Sequence, residues 1–126
     1  MSARMSLEEY RLLKQKPKRN KYGAKPIRAY GIYFPSTVEK EFHDFCILRK
    51  QCGELSYFLT HVPLHLPSGN KLIIDKVLFY TVGLIEFIDV KGTMTRDFLI
   101  KKKEIEFYYP FQIKIARKRK DRWEIN

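Results

Sequence analysis

Asp89 and Lys91 stand two residues apart in the apolar stretch LIEFIDVKG, residues 84–92. On a strand this spacing puts both side chains on one face and turns Val90 to the other. Asp75 interrupts a second apolar stretch, LIIDKVLF at 72–79. A charged group in such a run either reaches solvent at a strand end or is kept for a site, because burying an unpaired charge is costly. If the two stretches pair, their carboxylates meet. Two carboxylates and a nearby backbone carbonyl make a hard oxygen site suited to Mg²⁺, with Mn²⁺ as a substitute. Such an ion polarises a phosphate, and an adjacent lysine can orient or deprotonate the attacking water and offset the charge that builds on phosphorus. Asp75, Asp89 and Lys91 therefore make a phosphodiesterase set. The competing reading is an exposed strand end, where the three are solvated and Lys76 and Lys91 are plain ion-pair partners.

The elements that must position these residues are legible from periodicity. In STVEKEFHDFCILRKQCG, Ser36 is an N-cap, Glu39 falls at the third helical position as in a capping box, and Gly53 is a C-terminal stop, so a helix is predicted over about 37–52. Val38, Phe42, Phe45 and Cys46 share its apolar face, and Arg49 and Lys50 suit its negative end. Strands are predicted at 55–66, 71–80 and 84–92, joined by connections too short for crossovers and hence forming an antiparallel meander. Residues 96–109 return to a helical pattern that Pro110 ends, and FQIKIA at 111–116 alternates as a last strand. The crossover through that helix sets the last strand parallel to an earlier one. A short aromatic strand, AYGIYF at 29–34, precedes the first helix. The order is α-β-β-β-α-β, an α/β fold with a mixed sheet flanked by helices.

The 126 residues suit one compact domain, and their net charge of +11 makes a polyanion the leading partner class. Residues 1–28 hold nine Lys/Arg against Glu8 and Glu9, residues 114–126 hold six against two acids, and residues 29–113 hold ten of each. The chain thus reads as a basic N-terminal arm (1–28), a neutral domain (29–116) and a basic C-terminal tail (117–126). Lys16, Lys18, Arg19 and Lys21 before the domain, and Arg117, Lys118, Arg119, Lys120 and Arg122 after it, are placed to grip phosphates. Lys101, Lys102 and Lys103 spread over about 200° of the second helix, so they cannot all face one ligand. Basic termini also serve solubility alone, and the two roles are compatible.

Other chemistries find little support. No glycine-rich phosphate loop or GxSxG elbow occurs, and His43, His61 and His65 lack metal-ligand spacing with cysteine. Cys46 and Cys52 fit neither a disulfide framework nor a four-ligand zinc site and are expected to be free thiols. With no apolar leader and no stretch near 20 apolar residues, a cytoplasmic protein with no membrane association is expected.

The succession PSTVEKEF, LIIDKV, IEFIDVKG and TRDFLIKKKEIEFYYPFQIKI, within residues 21–116, resembles the PD-(D/E)XK nuclease superfamily, above all its small phage-encoded members related to Holliday junction resolvases. The resemblance implies a restriction-endonuclease-like core. It also implies roles: Asp75, Asp89 and the Val90 carbonyl hold Mg²⁺, Glu39 on the first helix is a further ligand, and Lys91 acts on the water. Ile74 replaces the proline of the motif, and Asp89 stands where Glu is usual. Glu86 is a weaker candidate acid because it points away from Asp89 on a regular strand. The activity implied is Mg²⁺-dependent endonucleolytic cleavage of Holliday junctions or other branched DNA, leaving 5′-phosphate and 3′-hydroxyl ends. Paired cuts require two sites and hence a homodimer, with AYGIYF or the YYPF corner at 108–111 as apolar contacts. The alternatives are a nuclease of the same fold acting on single strands or DNA ends, and a basic nucleic-acid-binding protein without catalysis.

Overall fold

The computed structural model of the chain describes residues 25–126. The chain divides into two compact units, 1–43 and 44–126. In the first, β1 (Ile27–Ala29) and β2 (Ile32–Phe34) pair antiparallel with Ala29 opposite Ile32. The sequence predicts one aromatic strand over 29–34, but the chain folds back at Tyr30 and Gly31, whose φ angles are 56° and 72°. Positive φ at both central residues is the hairpin turn that matches strand twist. Gly31 adopts it freely, whereas Tyr30 does so at a cost that hides the turn from a reading based on Asn and Gly. The Tyr30 and Phe34 rings lie 5.0 and 5.2 Å from the ring of buried His43.

Helix α1 (Thr37–Gln51) begins as its sequence requires: the Ser36 hydroxyl accepts the Glu39 N–H at 3.3 Å. Its end is equally local. The Glu54 N–H donates to the Arg49 carbonyl at 3.0 Å and the Gly53 N–H to that of Lys50 at 3.1 Å, the paired bonds of a Schellman cap, with Gly53 at φ 82°. A Cβ on Gly53 would meet nothing within 4 Å, so a Gly53→Ala change acts through backbone strain alone. It is expected to lower stability by about 1 kcal/mol, read as a fall in the urea midpoint at unchanged slope. An unchanged midpoint would contradict the cap.

The second unit is an α/β fold built on a mixed five-stranded sheet. β3 (Leu55–His65), β4 (Lys71–Tyr80) and β5 (Ile85–Val90) form the antiparallel meander. Helix α2 (Arg96–Tyr108) then crosses over, and β6 (Ile113–Lys118) joins β5 in parallel, Asp89 opposite Ile115. Thr95 caps α2 by accepting the Phe98 N–H at 3.2 Å. The last strand starts later than the sequence predicts and takes in Arg117 and Lys118. A further strand, β7 (Trp123–Ile125), pairs antiparallel with it, so the sheet order is β3-β4-β5-β6-β7. Its three residues lie in a basic stretch with no alternation to announce them, and Trp123 stacks on Phe45 at 6.2 Å.

One part of the core joins Ile105 of α2 to Leu64, Leu66, Ile74, Val77 and Ile113, flanked by the stacked Phe87 and Phe111 rings. In the later turns of α1, Cys46 is buried and Arg49 lies 5.1 Å from the centres of both the Phe45 and Tyr80 rings. Burial pushes the Cys46 thiol up to about 11, and the charges of Lys76 and Arg49 offset only part of this. Cys46 and the exposed Cys52 are both free, as their spacing predicts. Among the described residues no helix is long and apolar enough to cross a membrane.

Candidate functional site

The register brings the two acids together. β4 and β5 pair from Phe79 opposite Ile85 to Lys76 opposite Ile88, and one step further the same count sets Asp75 across from Asp89. There the ladder stops. β5 turns to its other neighbour, with Val90 opposite Ala116 and the Lys91 N–H donating to the Ala116 carbonyl at 3.1 Å. The Asp75 side chain takes over at the opening: its Oδ2 accepts the Val90 N–H at 2.7 Å. A carboxylate thus replaces a backbone partner where β4 and β5 part, which fixes Asp75 against the strand that carries Asp89.

Asp89 is 2% exposed. Burial first, then the neighbouring Asp75 charge and a hydrogen bond between the two carboxyl groups, push its pKa up to about 7 against the opposing pull of Lys91. Lys91 Nζ forms an ion pair with the buried Asp89 Oδ2 at 3.0 Å. The lysine is itself braced, its ammonium 4.4 Å from the centre of the Phe98 ring in the first turn of α2. Two acids competing for one proton beside a single cation are a poor arrangement for stability alone. They are a suitable one for a divalent ion, which would take both carboxylates and displace the proton.

The Asp89 shift has a definite consequence. The folded carboxyl holds its proton to about pH 7, while in the unfolded chain it titrates near pH 4. The unfolded state therefore binds fewer protons across this window, and stability falls as pH rises from about 4 to 7, then levels. In EDTA the unfolding free energy is expected to lose a few kcal/mol on this account, a loss absent from Asp89→Asn. Subtracting the two urea-denaturation profiles removes the opposite contribution of His61, whose imidazole burial and the Lys76 charge hold below its ordinary range. Parallel profiles would contradict the buried acid.

Lys76 is 2% exposed and lies on the opposite face of β4 from Asp75, where the sequence leads one to expect an apolar residue. Its ammonium is 2.6 Å from the Thr60 hydroxyl and 5.5 Å from the centre of the Phe58 ring. Glu86 is engaged elsewhere, as its strand parity predicts: it accepts from the Tyr80 hydroxyl and pairs with Lys114 at 2.6 Å. Burial opposes its charge, but Lys114 and Tyr80 prevail and hold it below the usual carboxylate range. Glu39 lies in the first turn of α1, its carboxylate accepting from the Ser36 hydroxyl at 3.3 Å.

The candidate phosphate-binding residues divide. Lys16, Lys18, Arg19 and Lys21 lie outside the described residues. On α2, Lys101 is 3.6 Å from Asp97 and Lys102 is 3.0 Å from Glu106, while Lys103 is exposed. Arg117 and Lys118 end β6, Arg119 pairs with Glu124 at 3.0 Å, and Lys120 is exposed.

The sequence reading missed His61. Thr60 faces Lys76 and Val62 faces Ile74, so His61 falls opposite Asp75 in the middle of β3, and its φ is 54°. A ring nitrogen and an Asp75 carboxylate oxygen lie within 4.8 Å of each other. The signal was present: in a hairpin closed by the turn at residues 66–70, counting back from His65 opposite Lys71 places 61 against 75.

The chain matches no protein-family model, and no curated protein or solved structure matches it significantly. The functional reading therefore stands on the residues and their geometry.

Proposed function

We propose that this protein is a divalent-metal-dependent DNA endonuclease that selects branched DNA, of the Holliday-junction-resolving kind. The observation that carries the proposal is the Asp75–Asp89 pair at the opening between β4 and β5, with Lys91 at 3.0 Å from Asp89. The element order supports it: helix, three-stranded meander, crossover helix and a parallel strand are the sequence of elements that the resemblance to PD-(D/E)XK nucleases implies.

Asp75, Asp89 and the Val90 carbonyl would hold Mg²⁺ or Mn²⁺; Glu39 enters as a further ligand from the sequence order alone. When bound, the ion polarises the scissile phosphate and makes water a better nucleophile. The chain's own residues do the rest. Asp75 is held in place by the Val90 N–H, so its carboxylate is oriented before the ion arrives. Asp89 gives up its proton on binding, so metal affinity rises with pH towards about 7. Lys91, kept in position by Phe98, donates towards the attacking water and offsets negative charge on the phosphate.

The basic residues of the arms would position the duplex without reading its sequence, which favours recognition of DNA shape. Symmetric cutting of a junction calls for a homodimer. Tyr30 and Tyr33 of the first segment considered for that contact, and Tyr108 of the second with its neighbour Phe107, are exposed, whereas Phe34 is buried. The ends left by the reaction test the chemistry: nicks made in a four-way junction with Mg²⁺ are expected to be resealed by DNA ligase without prior end repair. Products that ligase leaves open would contradict a 5′-phosphate and 3′-hydroxyl outcome.

A further inference from the structure

We propose that Arg117 and Lys91 together form a phosphate-binding pair beside Asp89, with Arg117 taking two oxygens of the phosphate that is cut. That this phosphate is the one cut rests on the nuclease reading above; the anion site itself does not.

The ladder places the two cations. β5 and β6 run in parallel with Asp89 opposite Ile115 and Val90 opposite Ala116. The Lys91 N–H donates to the Ala116 carbonyl at 3.1 Å, which continues the ladder by one step and sets Arg117 opposite Lys91. Partners on adjacent strands share a face, so Arg117 joins Ile115, Asp89 and Lys91. The other face is marked independently: Trp123, opposite Lys118, stacks on Phe45 of α1 at 6.2 Å. Lys118 and Trp123 therefore take the side of α1, and Arg117 and Glu124 take the side on which Lys91 meets Phe98 of α2. Neighbouring strands lie about 4.8 Å apart, which lets two long side chains converge on one anion.

Like charges directly opposite on a sheet destabilise it, and Arg117 has an evident remedy in Glu124, its partner on β7. The fold does not use it. Both Glu124 oxygens are committed elsewhere, Oε2 to Arg119 Nε at 3.0 Å and Oε1 to the Asn126 amide at 3.0 Å. Among the described residues the half-buried Arg117 guanidinium has no ion-pair or hydrogen-bond partner. Lys101, Lys102, Lys114 and Arg119 all have acidic ones. A half-buried, uncompensated guanidinium beside an ammonium is a site for an anion. Its planar fork suits two oxygens of one phosphate, where it would offset the charge that builds as water attacks.

The first test needs no catalysis: calorimetric titration of the full chain in EDTA with thymidine 3′,5′-bisphosphate, which carries the two phosphates of one nucleotide step. Wild type is expected to bind it. Arg117→Gln should lose affinity by at least about tenfold, and Arg117→Lys should fall between, since the charge stays and the fork goes. Arg117→Gln has no partner to lose, so its urea midpoint should equal or exceed that of wild type. Lys114→Gln removes a cation of the same strand from the opposite face and should bind within about twofold of wild type. No binding by wild type, or equal losses in Arg117→Gln and Lys114→Gln, would overturn the site.

The second test is single-turnover cleavage of a four-way junction at saturating protein in Mg²⁺ or Mn²⁺, where Arg117→Gln should be slower by about a hundred- to a thousandfold. Wild-type cleavage by Arg117→Gln, with none by Asp89→Asn, would remove Arg117 from the reaction and leave the nuclease reading standing. Arg117-dependent binding of the bisphosphate, with no cleavage of any DNA by wild type, would instead keep the phosphate site and overturn that reading.

Discussion

Asp89→Asn is expected to abolish metal-dependent cleavage, by at least about a thousandfold, and at the same time to make the metal-free protein more stable at pH 8. Both effects follow from one carboxyl. At pH 8 the folded protein holds Asp89 ionised, 2% exposed, beside Asp75, with only Lys91 to offset it. Asparagine keeps the shape, removes the charge and can donate its amide to Asp75. Lys91 retains contact with solvent, its side chain 29% exposed, so its loss of an ionic partner takes back part of the gain. A net increase of about 2 kcal/mol is expected in EDTA, measured by urea denaturation. Added Mn²⁺ should raise the midpoint of wild type and leave that of the variant in place. A variant that is both less stable and still active would show that Asp89 is a structural acid.

Lys91→Ala is expected to reduce cleavage by about a hundred- to a thousandfold while leaving DNA affinity within about twofold. Lys91 is one cation near the phosphates among many on a chain of net charge +11, so binding survives its loss. Its work is local: it offsets charge at the reacting phosphate and lowers the Asp89 pKa. Without it the Asp89 pKa rises further, and the pH at which metal binding is half-maximal should move upward with it. Lys91→Arg isolates the donation to the water, since guanidinium keeps the charge but not the compact ammonium donor. It should restore the pH profile and not the rate. Lys91→Ala with wild-type cleavage would eliminate the lysine from the chemistry.

What could be read in the sequence was what short-range physics sets. Ser36, Gly53 and Pro110 bound their helices through local hydrogen bonds and backbone restrictions, and the predicted 37–52 and 96–109 agree with Thr37–Gln51 and Arg96–Tyr108 to a residue. Strand β4 was legible at 71–80 because Ser68, Gly69 and Asn70 before it and Gly83 after it are turn residues that bracket it. Those bounds sufficed to set Asp75 and Asp89 on neighbouring strands. The β1–β2 turn was hidden because Tyr30 takes a conformation its residue type disfavours, and β7 because three residues carry no usable period. Lys76 looked misplaced in an apolar run because its partners, Thr60 and Phe58, come from a different strand. His61 was passed over because metal-ligand spacing was sought along the chain, whereas its relation to Asp75 exists only across the hairpin. The depth of burial of Asp89 could not be read at all, since it is set by residues that come together only in the fold.

The most direct test incubates the purified protein with labelled four-way junction, linear duplex and single-stranded DNA, each in Mg²⁺, Mn²⁺ or EDTA, beside Asp89→Asn. Paired nicks near the branch point that need the metal and vanish in the variant are the predicted result. Tight binding to all three DNAs in EDTA, with no cleavage of any in either metal, would contradict the nuclease reading and leave a basic nucleic-acid-binding protein in its place.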